Sequence, residues 1–96
     1  MTGPRVGPVL QAGPRGEAVI SAIRAENEDV EVLDRGGYLR VLVPSVCRVT
    51  RRAIEEHVGG GFELPSDLER IMPSFQGRLH VDPTHAIWWA AGQRPP

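Results

Sequence analysis

Lysine is missing from this chain, and all eleven basic residues are arginine. Alanine, glycine, proline and valine are abundant, so GC-rich coding accounts for much of the bias. Its physical result is a surface whose cations are all guanidinium groups, suited to bidentate pairing with carboxylates and to stacking on aromatic rings. Cysteine occurs once, as Cys47, which excludes an internal disulfide and leaves no second thiolate to share a metal. Cys47 reads as a small apolar filler in a reducing compartment. Charge of one sign is also lacking: the net value of −1 argues against electrostatic capture of nucleic acid or of an anionic membrane. No apolar run approaches the roughly 18 residues of a membrane span, and Met1-Thr2-Gly3-Pro4-Arg5 does not resemble an export signal. A cytoplasmic location is the expectation. Aromatic residues number only five, so where each one points carries weight.

What is present organises into one small domain over residues 1–96, with Gly- and Pro-rich ends at 1–5 and 92–96 read as flexible tails. Residues 6–12 form a short strand, placed at a sheet edge because Pro8 lacks an amide donor. Gly13-Pro14 opens a helix to about Glu26, with Val19, Ile20, Ala22 and Ile23 on one stripe. Residues 30–35 and 38–43 alternate around Gly36-Gly37 as a hairpin in which Arg35 faces Tyr38. Val30, Val32, Leu39, Val41 and Val43 then share the core side, leaving Tyr38, Arg40 and Leu42 on the other. Residues 46–49 resume the strand briefly. Thr50 caps a helix that Gly59-Gly60-Gly61 ends, and Ser66-Asp67-Leu68-Glu69 matches a capping box for a short third helix. A second hairpin joins residues 75–81 to 85–90 through a three-residue turn at Asp82-Pro83-Thr84. That register puts Phe75, Leu79, Val81, Ile87 and Trp89 on one face and sends Trp88 to the other, opposite Arg78; a register shifted by one residue would exchange the two tryptophans but could not bury both on one face. The fold class is α+β: two β-hairpin-containing, βαβ-like halves with helices packed on the sheet.

The residues that carry chemistry do not converge in this reading. His57 ends a helix, while His80 and His85 project to opposite faces of their hairpin, so no metal site is expected. Cys47 has no nearby histidine to activate it. Ser45, Ser66 and Ser74 lack a glycine-framed elbow, and Glu55 and Glu56 point about 100° apart on a helix. The glycine run at 59–61 follows no strand and precedes no Lys-Ser/Thr, which makes it a helix stop and not a phosphate loop. No catalytic residue and no cofactor site is expected. The feature left over is an outward Tyr38 and an outward tryptophan among arginines, the composition that protein interfaces enrich.

In order and spacing the chain resembles the effector (coupling or regulatory) proteins of bacterial multicomponent di-iron monooxygenases, the MmoB/DmpM family, with the toluene and other aromatic monooxygenase effectors nearest. The likeness spans residues 6–90. It runs through Val6-Gly-Pro-Val-Leu-Gln-Ala-Gly13, Asp34-Arg-Gly-Gly-Tyr-Leu-Arg40 and Val49-Thr-Arg-Arg-Ala-Ile-Glu-Glu-His-Val-Gly59 with Phe62. It continues in Pro73-Ser-Phe-Gln-Gly-Arg-Leu79 and ends at Ile87-Trp-Trp89. The chain departs from the pattern in Gly59-Gly60-Gly61 and in the Trp88-Trp89 pair. Membership implies a cofactorless, non-catalytic subunit that docks on the α-subunit of a di-iron hydroxylase. It would work alongside a ferredoxin and a reductase and tune oxygen activation, electron transfer and hydroxylation. The expected partner-binding residues are Val6, Val9 and Gln11 in the first strand, Tyr38 and Arg40 in the hairpin, Ser74, Phe75 and Gln76, and Trp88. Two other classes fit an α+β domain without a motif: a stand-alone small-ligand-binding regulatory domain, and a small cofactor-independent enzyme using Tyr38 and an arginine. Genes for a hydroxylase, ferredoxin and reductase beside this one would separate the effector from both.

Overall fold

Strand β1 (Arg5–Gln11) sends Val6, Pro8 and Leu10 into the interior and Val9 and Gln11 outward, the period-two pattern of a half-buried strand. It opens a computed structural model that describes residues 3–96; Met1 and Thr2, the start of the expected tail, lie outside the described residues. Helix α1 (Pro14–Glu26) follows, with Pro14 in its first turn and Ala18, Val19, Ile20, Ala22 and Ile23 buried. Strands β2 (Glu31–Asp34) and β3 (Tyr38–Pro44) form the first hairpin, closed by Arg35 N–H donating to the Tyr38 carbonyl at 2.8 Å, with the expected register. Then come β4 (Val46–Thr50), α2 (Arg51–Val58), α3 (Ser66–Ile71), β5 (Ser74–Gln76), β6 (Arg78–Val81) and β7 (His85–Trp89).

The strands divide into two antiparallel sheets, ordered β2-β3-β1-β5 and β4-β7-β6, where the sequence suggested one layer. Two local conformations make the division. Ser45 adopts φ 65° between β3 and β4, and its N–H donates to the Pro4 carbonyl at 2.8 Å while its own carbonyl accepts from Ala90 N–H at 3.1 Å. That bend therefore ties together the start of β1 and the end of β7. Gly77 adopts φ 97° between β5 and β6, where a Cβ would come within 2.6 Å of the Trp89 carbonyl oxygen. The single strand expected over 75–81 is consequently two: β5 joins the first sheet and β6 the second.

Three further expectations change. Pro8 lies in an interior strand, hydrogen-bonded between β3 and β5, because an antiparallel residue aims its N–H at one edge only and its loss removes one bond. The bridges to β3 skip Gly7 and Pro8 and resume at Val9. Arg5 belongs to β1 instead of to a tail, donating to the Asp29 carbonyl at 2.8 Å. The capping box at Ser66 does not form: Ser66 is already helical, and the Asp67 carboxylate accepts from Glu63 N–H at 2.7 Å. Thr50, by contrast, caps α2 as expected, its hydroxyl accepting from Ala53 N–H at 3.1 Å, and Gly59 ends the helix in the left-handed conformation.

Side chains at the end of α1 lock it to its neighbours. The Glu26 carboxylate accepts from Thr50 N–H at 2.8 Å. Asn27 acts like one residue of an extra strand, accepting from Arg48 N–H at 3.0 Å and donating to the Arg48 carbonyl at 2.7 Å. These bonds hold α1 and α2 over β4, and one apolar cluster joins Val6, Leu10, Val19, Ile23, Val41, Val49, Ile54, Phe62, Leu68 and Trp88.

The register of the second hairpin is the largest correction. Asp82 N–H donates to the His85 carbonyl at 3.0 Å, so the loop is two residues, Pro83-Thr84, and every pair moves by one from the three-residue turn. Trp88 faces Leu79, not Arg78, and is fully buried; Trp89 takes the outward, half-buried place. The indole N–H of Trp88 has no hydrogen-bond partner among the described residues, so its contribution is packing. Trp88→Ala should lose about 3–5 kcal/mol, a large share of the 5–15 kcal/mol that holds a typical domain folded, whereas Trp89→Ala should lose clearly less. Denaturant midpoints of the two variants check the order.

Candidate functional site

Tyr38 and Phe75 are the large apolar side chains left most exposed among the described residues, at 44% and 41%. The fold puts both on one cleft of about 490 Å³, lined by Val9, Arg35, Tyr38, Arg40, Pro73, Ser74, Phe75 and Gln76. Its floor is the outer face of β3, β1 and β5. Val9 pairs with Arg40 on one side and Ser74 on the other, so strand register alone sets these three side by side. Arg40 reaches across β1 to Gln76, its guanidinium 3.5 Å from Oε1. Tyr38 stands at the hairpin mouth beside Arg35, and Phe75 at the free edge of β5. The result is an open, apolar-walled groove carrying two guanidinium groups, a composition fitted to a protein surface bearing carboxylates and apolar side chains.

Of the nine residues expected to bind a partner, Val9, Tyr38, Arg40, Ser74, Phe75 and Gln76 come together here. Gln11 pairs with Tyr38 and lines a smaller depression of about 200 Å³ with Arg15 and Ile71. Val6 and Trp88 do not belong to this surface. Both point into the core with almost no exposure, Val6 because it alternates with Val9 across the strand and Trp88 because of the two-residue turn. Phe75 had been assigned to the core face of the second hairpin; it is exposed because β5 leaves that hairpin at Gly77. Arg35 and Pro73 were not singled out, although the Arg35–Tyr38 pairing already placed the former beside a site residue.

A second concavity, about 790 Å³, lies on the outer face of the β4-β7-β6 sheet and is lined by Arg48, Thr50, His80, Thr84, His85, Ile87, Trp89, Pro95 and Pro96. His80 and His85 were expected on opposite faces. The shifted register brings them to one, with ring centroids 5.8 Å apart and Asp82 between them. Asp82 Oδ1 accepts from the Thr84 hydroxyl at 2.7 Å, Thr84 N–H at 2.8 Å and His85 N–H at 3.2 Å, and Oδ2 lies 3.2 Å from His80 Nε2. Those donors, the Thr84 hydroxyl first, hold the Asp82 carboxyl well below its ordinary 3.8. Glu55 is also lowered, chiefly by the Phe62 N–H at 2.9 Å and then by Arg51. Burial pushes the Cys47 thiol up to about 12, so it stays protonated and inert, as expected of a core cysteine.

The architecture is a two-sheet α+β domain with an open cleft lined by aromatic and arginine side chains. The chain belongs to the MmoB/DmpM family, whose model matches residues 4–89. It is 40% identical over 86 residues to the effector subunit of an alkene monooxygenase system from Xanthobacter autotrophicus strain Py2, covering 88% of this chain and 84% of that one. Its fold matches a chain in the structure of a phenol hydroxylase–regulatory protein complex with a TM-score of 0.77, at 19% identity over 88% of this chain and 95% of that chain.

The two depressed carboxyls set an acid response. A carboxyl whose folded value lies below its unfolded one adds stability that is present above the unfolded value, near pH 4, and is lost as pH falls toward the folded one. Melting temperatures of Asp82→Asn and Glu55→Gln should start below wild type at pH 7 and drop less between pH 5 and pH 2, which thermal melts across that range will show.

Proposed function

We propose that this chain is the non-catalytic effector subunit of a bacterial multicomponent di-iron monooxygenase, and that it docks on the α-subunit of the hydroxylase through the Tyr38–Arg40–Phe75 cleft. The observation that carries this is convergence. Residues from three separated stretches, Val9, Tyr38 with Arg40, and Ser74 to Gln76, meet on one open groove that exposes Tyr38 and Phe75, the most accessible large apolar groups among the described residues. The kinship with an alkene monooxygenase effector and the fold shared with a chain in the structure of a phenol hydroxylase–regulatory protein complex support the same reading.

A subunit of this kind acts through differential affinity. If it binds one hydroxylase conformation more tightly than another, it shifts their populations by that difference. Typical couplings of about 1–3 kcal/mol change a linked equilibrium about 5- to 150-fold, enough to alter oxygen activation and electron delivery without any reacting group of its own. The substrate is selected in the hydroxylase, and electrons arrive through a ferredoxin and a reductase.

With hydroxylase, ferredoxin and reductase fixed and this protein titrated from zero to excess, product per reductant consumed should rise and saturate near one chain per active site. The protein alone should make no product. Tyr38→Ala and Phe75→Ala should keep nearly wild-type melting temperatures, since both side chains are already exposed. Each should raise the concentration for half-saturation about 5- to 30-fold, the cost of an interface anchor worth about 1–2 kcal/mol, while leaving the plateau in place. Unchanged product with and without the protein, or unchanged saturation in both variants, would refute this function or this docking face respectively.

A further inference from the structure

We propose that His80, Asp82 and His85 form a divalent transition-metal site, of the kind zinc occupies, on the β6–β7 hairpin. It is the one group of three or more ligating side chains with convergent donor atoms among the described residues, all of those atoms lying within 4.8 Å of one another. The arrangement follows from backbone register. His80 and Asp82 are two apart along one strand and share its outer face, and the two-residue turn sets His85 directly across from Asp82.

The spacing is close to that of a bound ion. Metal–nitrogen and metal–oxygen bonds of about 2.0–2.2 Å at tetrahedral angles separate neighbouring donors by roughly 3.3–3.5 Å. His80 Nε2 lies 3.2 Å from Asp82 Oδ2 and His85 Nδ1 lies 3.3 Å from the other oxygen, Oδ1, so the carboxylate reaches the two rings through different oxygens. Oδ2, which carries no N–H or O–H from Thr84 or the His85 backbone, is the one open to an ion. The remaining gap between the imidazoles would close by rotation of the His80 ring, which is more than half exposed. The Thr84 hydroxyl, now 3.0 Å from His85 Nδ1, would keep its 2.7 Å bond to Asp82 Oδ1 and so hold that carboxylate in place.

Two imidazoles and one carboxylate select borderline transition ions over calcium or magnesium, which require nearly all-oxygen shells. The fourth position opens on the concavity lined by Trp89, Pro95 and Pro96 and is left to water. Arg48 lies in the same wall, and its positive charge weakens the binding of a cation. An ion here would clip β6 to β7 at the turn that decides which tryptophan is buried. This is a structural role, independent of the docking cleft and of the effector reading.

The test uses the tag-free, chelator-stripped chain and zinc sulfate in isothermal titration, with Co²⁺ substituted for its visible absorption and thermal melts run in parallel. One zinc per chain should bind, the melting temperature should rise with zinc, and Co²⁺ should give the intense d–d bands of a four-coordinate site. His80→Gln, at an exposed position that keeps its fold, should weaken binding at least tenfold and abolish the Co²⁺ bands. His85→Gln should do the same, and His57→Gln, on α2 away from the cluster, should bind as wild type. Absence of saturable binding, or unchanged affinity and spectrum in His80→Gln, would overturn the proposal. So would loss of binding in His57→Gln, which would show attachment elsewhere on the chain.

Discussion

Strand β1 is bonded along both edges, and the remainder of the first sheet depends on that. It pairs with β3 through a common register from Arg5–Pro44 to Gln11–Tyr38 and with β5 from Gly7–Gln76 to Val9–Ser74. Its even residues, Val6, Pro8 and Leu10, fill the core while its odd ones, Val9 and Gln11, face out. A slip of one residue would send Val6 and Leu10 into solvent and pull Val9 out of the cleft at once. Core and cleft are thus two sides of a single strand, and neither can be rearranged without the other.

The two sheets divide the labour of the molecule. The first carries the cleft on its outer face, with β2 and β5 as its edges; the second presses Trp88, Cys47 and Val49 inward and exposes a histidine- and arginine-bearing face. Ser45 couples them, because its backbone bonds reach both Pro4 at the entry to β1 and Ala90 just beyond β7. The side chains of Glu26 and Asn27 fasten the helical layer farther along β4, at Thr50 and Arg48.

Much of this was legible in the amino-acid order. The stripe at Val19, Ile20 and Ile23, the Gly36-Gly37 hairpin and the Thr50 cap depend on residues a few positions apart, where local propensity and periodicity decide the outcome. The cleft was legible too, in part: the family likeness pointed to its residues, and strand alternation had already turned Tyr38 outward. The misplaced features were those set by partners distant in sequence or by one extra turn residue. Pro8 looked like an edge marker until β5 paired from the other side, and Gly77 gave no sign that the chain would change sheets there. The turn at Asp82 depended on that residue's carboxylate, which gathers the Thr84 and His85 amides into a shorter loop. From that one difference followed the exchange of Trp88 and Trp89 and the meeting of His80 with His85.

The place of β5 has a consequence for the protein's birth on the ribosome. The groove that begins at Val9 is complete only when Ser74, Phe75 and Gln76 have closed against β1, across about two thirds of the chain. Closing so long a loop is entropically costly and slow relative to local hairpins. During synthesis, β1 waits with one edge unpaired while most of the polypeptide emerges, and an unpaired edge is open to wrong partners. A nascent or truncated chain therefore lacks the finished groove, and presenting it certifies that the whole domain has been made and folded.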